Sequence, residues 1–200
     1  MSEIIFDNNP KFADRRKDLS QPPQRHVWLP RYERIKMGSE DAIVAAISGS
    51  GVELILKLAQ KCPEPYGILY VLLVAIKTRP RRYQLDGWLD YEALTEYFEN
   101  YRRYFEGDGR HHIWVRCGDE SLIVYDKHEI LYLYGAVDLF RETLESLGYT
   151  EGEVRIDFAH SHYYNREYHA DEVSIVESGE YMRFDLVPGQ DYDEGDPRYS

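Results

Sequence analysis

The feature that most constrains the fold of this chain is an apolar run between Gly67 and Lys77, which reads ILYVLLV over residues 68–74. Successive residues of a strand point to opposite faces, and in this run both faces are apolar. A strand of this kind is covered on both sides, which predicts a central position in a sheet beneath helices. The apolar stretch ends at Ile76 and is too short to cross a bilayer, so we expect no membrane anchor.

Apolar spacing predicts further elements on either side of this strand. Ser39 and Asp90 precede helix-like patterns, and their side chains suit N-cap positions. Short alternating runs after Gly109 predict an antiparallel meander with turns at 118–120 and 126–129. The predicted helices cover 39–47, 52–61, 90–105 and 136–147, and the predicted strands cover 112–116, 122–125, 130–134 and 154–162.

The order strand, helix, three strands, helix, strand predicts an α+β fold. We expect a two-layer sandwich with a mostly antiparallel, ferredoxin-like sheet and helices packed on it. A length of 200 residues suits one domain with tails. The predicted divisions are a flexible N-terminal arm over 1–25, a single α+β domain over 26–186 and an acidic C-terminal tail over 187–200. The tail carries Asp191, Asp193, Glu194 and Asp196.

Charge and cysteine content restrict the partners and the compartment. The formal net charge of −12 disfavours nucleic acid and anionic membranes and favours a basic partner. Cys62 and Cys117 match no metal or redox spacing, so we expect reduced thiols in a cytoplasmic protein. The N-terminus lacks the apolar core of a secretory signal. Arg79, Arg81 and Arg82 form a basic turn, whose use as a nucleic-acid contact we rank last.

The clearest chemical feature is a pair of histidines one residue apart, His160 and His162. The alternating stretch that starts at Val154 predicts a strand, and strand alternation places both imidazoles on its apolar face, at the edge of the core. Such a pair can chelate a metal, shuttle a proton or make ordinary hydrogen bonds. The chain contains no HExxH motif and no CxxC pair, which would make a metal site specific.

A metal site needs a third ligand, and the sequence offers several. His169, Asp171 and Glu172 follow the pair closely, whereas His111, His112 and His128 are candidates only if the fold brings them near. The metal site predicted on these grounds consists of His160, His162 and His169, with zinc as a suitable ion. The alternative is a strand end whose two histidines are hydrogen-bonded to neighbours and solvent.

Two functions remain open. The first is a small cytoplasmic binding protein, without a catalytic motif or cofactor, that engages a protein partner in a regulatory or toxin-neutralising role. Its acidic charge and its 18 tyrosines support this hypothesis, since Tyr is a common anchor at interfaces. Tyr163, Tyr164 and Tyr168 are the predicted contact residues. The alternative is a metal-dependent enzyme or metal-binding protein centred on His160 and His162.

Overall fold

The computed structural model describes residues 10–14 and 25–191, and its main feature is a nine-stranded sheet. The strands are β1 (Phe12–Asp14), β2 (Arg31–Met37), β3 (Glu40–Ala46), β4 (Tyr66–Leu72), β5 (Arg81–Leu85), β6 (His111–Cys117), β7 (Ser121–Tyr125), β8 (Ile130–Tyr134), β9 (Thr150–Glu151), β10 (His160–His162) and β11 (Tyr181–Phe184). The order in the nine-stranded sheet is β11-β5-β4-β6-β7-β8-β3-β2-β9. All neighbours are antiparallel except β2 and β9.

In the described part of the chain, five α-helices cover one face of this sheet. Each contributes apolar side chains to one large cluster, together with alternate residues of the central strands, so the main core lies between the helices and the sheet. Ser50 caps the first helix and Asp90 caps the second, each accepting a hydrogen bond from the backbone N–H three residues on. The helices are α1 (Gly51–Ala59), α2 (Tyr91–Asn100), α3 (Arg102–Gly107), α4 (Val137–Ser146) and α5 (His169–Ser178).

The other face of the sheet carries a second, smaller core. A two-stranded ribbon made of β1 and β10 packs there, with Phe12 opposite His162 and Asp14 opposite His160. The extended segment 152–159 leads into β10 and packs beside the ribbon. Buried side chains of this second core come from the ribbon, the segment and the sheet: Phe12, Trp28, Val44, Ala46, Ile130, Val154 and Phe158.

The structure confirms the α+β class and changes the architecture. A ferredoxin-like unit has the element order βαββαβ, whereas this sheet has nine strands and mixed pairing, so the ferredoxin-like kernel is not confirmed. The predicted central strand, the three-strand meander and the helices near 52–61 and 136–147 are confirmed with small shifts at their ends. Within the parts of the chain that the structure describes, no helix is both long and apolar enough to cross a bilayer.

Four local predictions need correction. The helix predicted over 39–47 is strand β3, which pairs with β2 and β8. The helix predicted over 90–105 breaks at Tyr101 into α2 and α3. The basic turn around Arg81 is part of strand β5. The strand predicted over 154–162 pairs only at 160–162, although the burial of 154–158 still alternates because these residues pack on the second core.

The predicted arm and tail are described in part. In the arm, residues 10–14 carry β1, and Lys11 and Phe12 are fully buried. At the other end, Asp191 is buried and accepts hydrogen bonds from Arg82 at 2.7 and 2.8 Å. Residues 1–9, 15–24 and 192–200, which include Asp193, Glu194 and Asp196, lie outside the described residues.

Candidate metal centre

Three imidazoles from two distant parts of the chain meet above the second core. His160 and His162 come from β10, and His128 comes from the turn between β7 and β8. Each offers a ring nitrogen, and these nitrogens all lie within 4.8 Å of one another. The ring centroids are 4.6 Å apart for His128 and His162, 5.1 Å for His128 and His160, and 5.3 Å for His160 and His162.

The turn that carries His128 is fixed by a buried carboxylate. Oδ1 of Asp126 accepts hydrogen bonds from the backbone N–H groups of His128 at 2.8 Å and Ile130 at 3.0 Å. Glu129 adopts a left-handed backbone conformation, with φ of 60°, which closes the turn before β8 begins. The position of His128 is therefore set by local hydrogen bonds rather than by the ribbon that it faces.

Two of the three imidazoles have their Nδ1 atom held by an acceptor. Nδ1 of His128 donates to Oδ2 of Asp126 at 2.7 Å, and Nδ1 of His160 donates to the carbonyl oxygen of Phe158 at 3.1 Å. An acceptor at Nδ1 selects the tautomer in which Nε2 carries a lone pair. Histidine ligands of protein-bound metals are commonly oriented by a carboxylate or a backbone carbonyl in this manner.

His162 is the most deeply enclosed member of the group. Its Nδ1 atom is buried and has no hydrogen-bond partner among the described residues. Gly109 lies against it, since a Cβ at Gly109 would lie 3.0 Å from Cβ of His162 and 3.4 Å from Nδ1. A buried nitrogen without a partner is costly, which makes His162 a group that gains from a ligand.

The environment favours the neutral form of two of these histidines. Burial lowers the pKa of His162 to about 2, with further lowering from the charges of His128 and Lys127. Burial also lowers the pKa of His160. Neutral imidazoles are the form that binds metals, so both side chains are in the ligand form at neutral pH.

The carboxyl group behind His128 stays ionised. Burial alone would raise the pKa of Asp126, but the proximity of His128 and hydrogen bonds from His128 and Ile130 outweigh it, and the net pKa lies below its usual value. An ionised Asp126 accepts the Nδ1 hydrogen of His128 and so holds the ring in the tautomer whose Nε2 carries a lone pair.

An aromatic layer surrounds the cluster. The ring of Phe12 lies 5.1 to 5.7 Å, centroid to centroid, from the rings of His128, His160 and His162. His26 packs on the far side, 5.8 Å from Phe12 and outside the triad. The imidazoles thus also form part of the packing of the second core.

The structure places the other predicted ligands elsewhere. His169 begins α5 and is not a member of the group of nitrogens defined above. Glu172 binds Arg110 instead, and His111 is buried in the main core, 4.6 Å from the ring of Tyr104. His112 faces the second core, and burial lowers its pKa to about 3, but it also lies outside the triad.

The predicted contact tyrosines are only half-exposed. Tyr163 continues the ribbon, because its N–H donates to the carbonyl of Lys11 at 3.2 Å and its carbonyl accepts from Gly109 at 3.0 Å. Tyr164 follows it, and Tyr168 packs against the main core with its ring 5.9 Å from that of Tyr104.

His128, Asp126 and Phe12 complete the site, and sequence patterns did not select them. His128 is one of several histidines that could approach the pair, and Asp126 lies in the same predicted turn over 126–129. The available signal was the spacing D-x-H in a turn between two predicted strands, which suits a carboxylate that orients an imidazole.

A separate cavity of about 340 Å³ lies on the part of the sheet that the ribbon leaves uncovered. Leu69 and Trp114 are neighbours across β4 and β6 at its floor. The indole ring of Trp88 lies close to Gly67, where a Cβ would be 3.1 Å from it, and more than half of the surface of Trp88 is exposed. Met182 lines the same cavity from the edge strand β11.

Comparison with known proteins assigns no family to this chain. No family model matches the sequence, and no curated protein or solved structure matches it significantly.

Proposed function

We propose that the protein binds a divalent metal ion of the zinc class through His128, His160 and His162. The observation that carries the proposal is the convergence of three imidazole nitrogens within 4.8 Å of one another. Zinc, with a Zn–N distance of about 2.0 Å, is commonly bound by neutral histidines. The Asp126 and Phe158 oxygens that hold two of the rings are the kind of partners that metal-bound histidines have.

Metal binding requires a small contraction of the cluster. Tetrahedral coordination at about 2.0 Å places ligand nitrogens roughly 3.3 Å apart, closer than the 4.8 Å within which they lie. Small rotations about the side-chain bonds of His160 and His162 supply movements of this size, and the partial exposure of all three residues gives the ion a route from solvent.

The described residues supply three protein ligands, which leave one position of a tetrahedral ion open. Structural zinc sites have four protein ligands, whereas catalytic sites have three and bind water at the fourth position. A zinc ion held by His128, His160 and His162 would lower the pKa of a water at the open position to about 7 and so could activate it for hydrolysis at neutral pH. We therefore propose a metal-dependent enzyme of a hydrolytic type over a purely structural zinc protein.

Metal analysis tests this proposal directly. Protein purified without a histidine tag should bind one Zn²⁺ or Co²⁺ per chain in calorimetry and should melt at a higher temperature with the ion. His128→Ala, His160→Ala and His162→Ala should each abolish stoichiometric binding. His169→Ala is the matched control and should bind as the unaltered protein does. An intact protein that binds none of Zn²⁺, Co²⁺, Mn²⁺ or Ni²⁺ contradicts the proposal.

A second candidate function is recognition of a basic protein partner. Its support is the apolar surface around the uncovered cavity, where Trp88, Met182 and Phe184 are exposed, together with the net charge of −12. Capture from the native host should then recover a stoichiometric basic protein, and Trp88→Ser should lose it while the matched surface variant Leu147→Ser retains it. Recovery of no such partner, or equal recovery with Trp88→Ser, contradicts this alternative.

A further inference from the structure

Phe12 packs against all three members of the histidine cluster. Its side chain is completely buried, and its ring is within 6 Å, centroid to centroid, of all three proposed ligands. Aromatic rings at this separation are in packing contact. Phe12 therefore limits how far the imidazole side chains can rotate away from one another.

The same strand fixes the backbone of the two ligands on β10. In the antiparallel pair, Phe12 is opposite His162 and Asp14 is opposite His160. Within the described residues β1 is the one hydrogen-bonded neighbour of β10, since the two form a separate sheet of their own. The direction in which His160 and His162 project thus depends on β1 remaining in place.

Residues beside Phe12 anchor β1 to the rest of the molecule. Nζ of Lys11 donates to the carbonyl oxygen of Phe105 at 3.0 Å and lies 3.8 Å from the ring centroid of Tyr125. The carbonyl of Lys11 lies so close to Gly109 that a Cβ there would be 2.7 Å from it. These contacts join β1 to α3, to β7 and to the loop before β6.

We propose that β1 is a component of the metal site, with Phe12 as a positioning residue, so that metal binding and docking of residues 10–14 stabilise each other. The inference rests on the proposed function. Coupling between two binding events is reciprocal, and the factor by which docking raises metal affinity equals the factor by which metal favours docking. A coupling of about 5- to 150-fold is typical.

Two measurements test the coupling. In the unaltered protein, saturating Zn²⁺ should slow hydrogen exchange of the amides of 11–14 by about tenfold or more, while the amides of α4 change little. In calorimetry, Phe12→Leu should weaken Zn²⁺ binding by about tenfold or more. Phe140→Leu is the matched control, because Phe140 is equally buried but belongs to the main core; it should lower the melting temperature and leave Zn²⁺ affinity within about twofold.

The outcomes separate this inference from the proposed function. If the intact protein binds Zn²⁺, but exchange at 11–14 is unchanged and Phe12→Leu binds as tightly as Phe140→Leu, the coupling is refuted and the metal site stands. If the intact protein binds no metal, both the proposed metal site and its coupling to β1 are refuted. Should Phe12→Leu fail to fold, the exchange measurement on the unaltered protein decides alone.

Discussion

At the scale of single residues, Asp126 is the group on which the orientation of His128 depends. Its carboxylate is buried and accepts hydrogen bonds from two backbone N–H groups and from Nδ1 of His128. The hydrogen bonds from the backbone fix the carboxylate of Asp126, and this carboxylate in turn fixes the imidazole of His128. A metal at Nε2 of His128 would therefore meet a ring that is already oriented.

We expect Asp126→Asn to weaken Zn²⁺ binding by about 10- to 100-fold while the protein remains folded, because the amide is a poorer acceptor for the Nδ1 hydrogen. Calorimetry with Zn²⁺ at pH 7.5 measures the effect, and circular dichroism reports the fold. Asp119→Asn is the control, since Asp119 lies in an exposed turn of the same meander. Equal affinity of the two variants would show that Asp126 plays no part in the site.

Gly109 is a second residue whose identity the structure explains. A Cβ at this position would lie 2.7 Å from the carbonyl oxygen of Lys11 and 3.0 Å from Cβ of His162, so a larger residue forces the ribbon outward. We expect Gly109→Ala to lower the free energy of unfolding by about 1–3 kcal/mol in urea denaturation. Gly152→Ala, whose Cβ would meet only ordinary contacts with Arg31, should change it by less than about 1 kcal/mol. A similar loss in both variants would argue against this packing.

The sequence predicted two of the three converging imidazoles and missed the third. His160 and His162 share a face because of strand alternation, which is a local property that the sequence displays. His128 reaches them from 32 residues away, and that proximity depends on how the ribbon packs on β7 and β8. His169 is nearer in sequence, but it begins α5, whose first turn is held at Arg110 through Glu172.

At the scale of elements, β3 shows why a strand was predicted as a helix. Residues 42–46 are all buried, because one face of β3 belongs to the main core and the other to the second core. A strand buried on both faces loses the polar and apolar alternation that identifies strands. Its alanines and the preceding acidic residues then resemble the start of a helix. In β4 the strand was recognised because Ile, Leu and Val favour a strand, although one face of β4 is only half-buried at Gly67 and Leu69.

Helix α5 was not predicted, and a buried ion pair explains its position. Glu172 accepts hydrogen bonds from the backbone N–H groups of Ile76, Lys77 and Thr78 and from the buried guanidinium of Arg110. Arg110 is also paired with Asp108 through two hydrogen bonds. One carboxylate on α5 thus fixes the helix against both the segment after β4 and the loop before β6, which is a tertiary contact that no local pattern reveals.

We expect Glu172→Ala to lower the free energy of unfolding by about 3–5 kcal/mol, because it removes one partner of a buried charge and leaves three backbone donors without their acceptor. Urea denaturation measures the loss, and hydrogen exchange should show that α5 opens first. Glu177→Ala, on the exposed side of the same helix, should change stability by less than about 0.5 kcal/mol. Equal effects of the two substitutions would refute the role of Glu172 as the tether.

At the scale of the whole molecule, the N-terminal segment connects the two cores. Phe12 belongs to the second core, whereas the neighbouring Lys11 reaches Phe105 and Tyr125 of the main core. Arg25 pairs with the buried Glu129 and bridges to Ala13. Charge and low periodicity predicted a flexible arm here, and the pattern gave no sign that three of its residues, Lys11, Phe12 and Ala13, would be buried. The average composition of a long segment does not reveal that single residues within it are buried.

Lys11 makes the stability of the whole protein depend on pH. Burial lowers its pKa to about 8, although attraction to the surrounding carboxylates partly offsets this. Below pH 8 both the folded and the unfolded protein hold the proton, and the cost of burying the ammonium is present in full. Between pH 8 and the unfolded value of 10.5 the folded protein releases the proton first, so stability rises with pH by up to about 1.4 kcal/mol per unit. The acidic groups that face Lys11 are Glu129, Asp126, Asp108 and Glu106.

Lys11→Met isolates this contribution, because methionine has a similar volume and no titration. The stability of Lys11→Met minus that of the unaltered protein should fall by about 1.6 kcal/mol between pH 8 and 9.5, as the unaltered protein loses its buried charge. Urea denaturation in the presence of a chelator measures both proteins without bound metal. Other titrating groups contribute equally to the two proteins and cancel in the difference. Lys57→Met, which removes a lysine from an exposed ion pair on α1, is the matched control. A flat difference for Lys11→Met would show that Lys11 keeps its ordinary pKa and that the N-terminal strand is held without the cost of a buried charge.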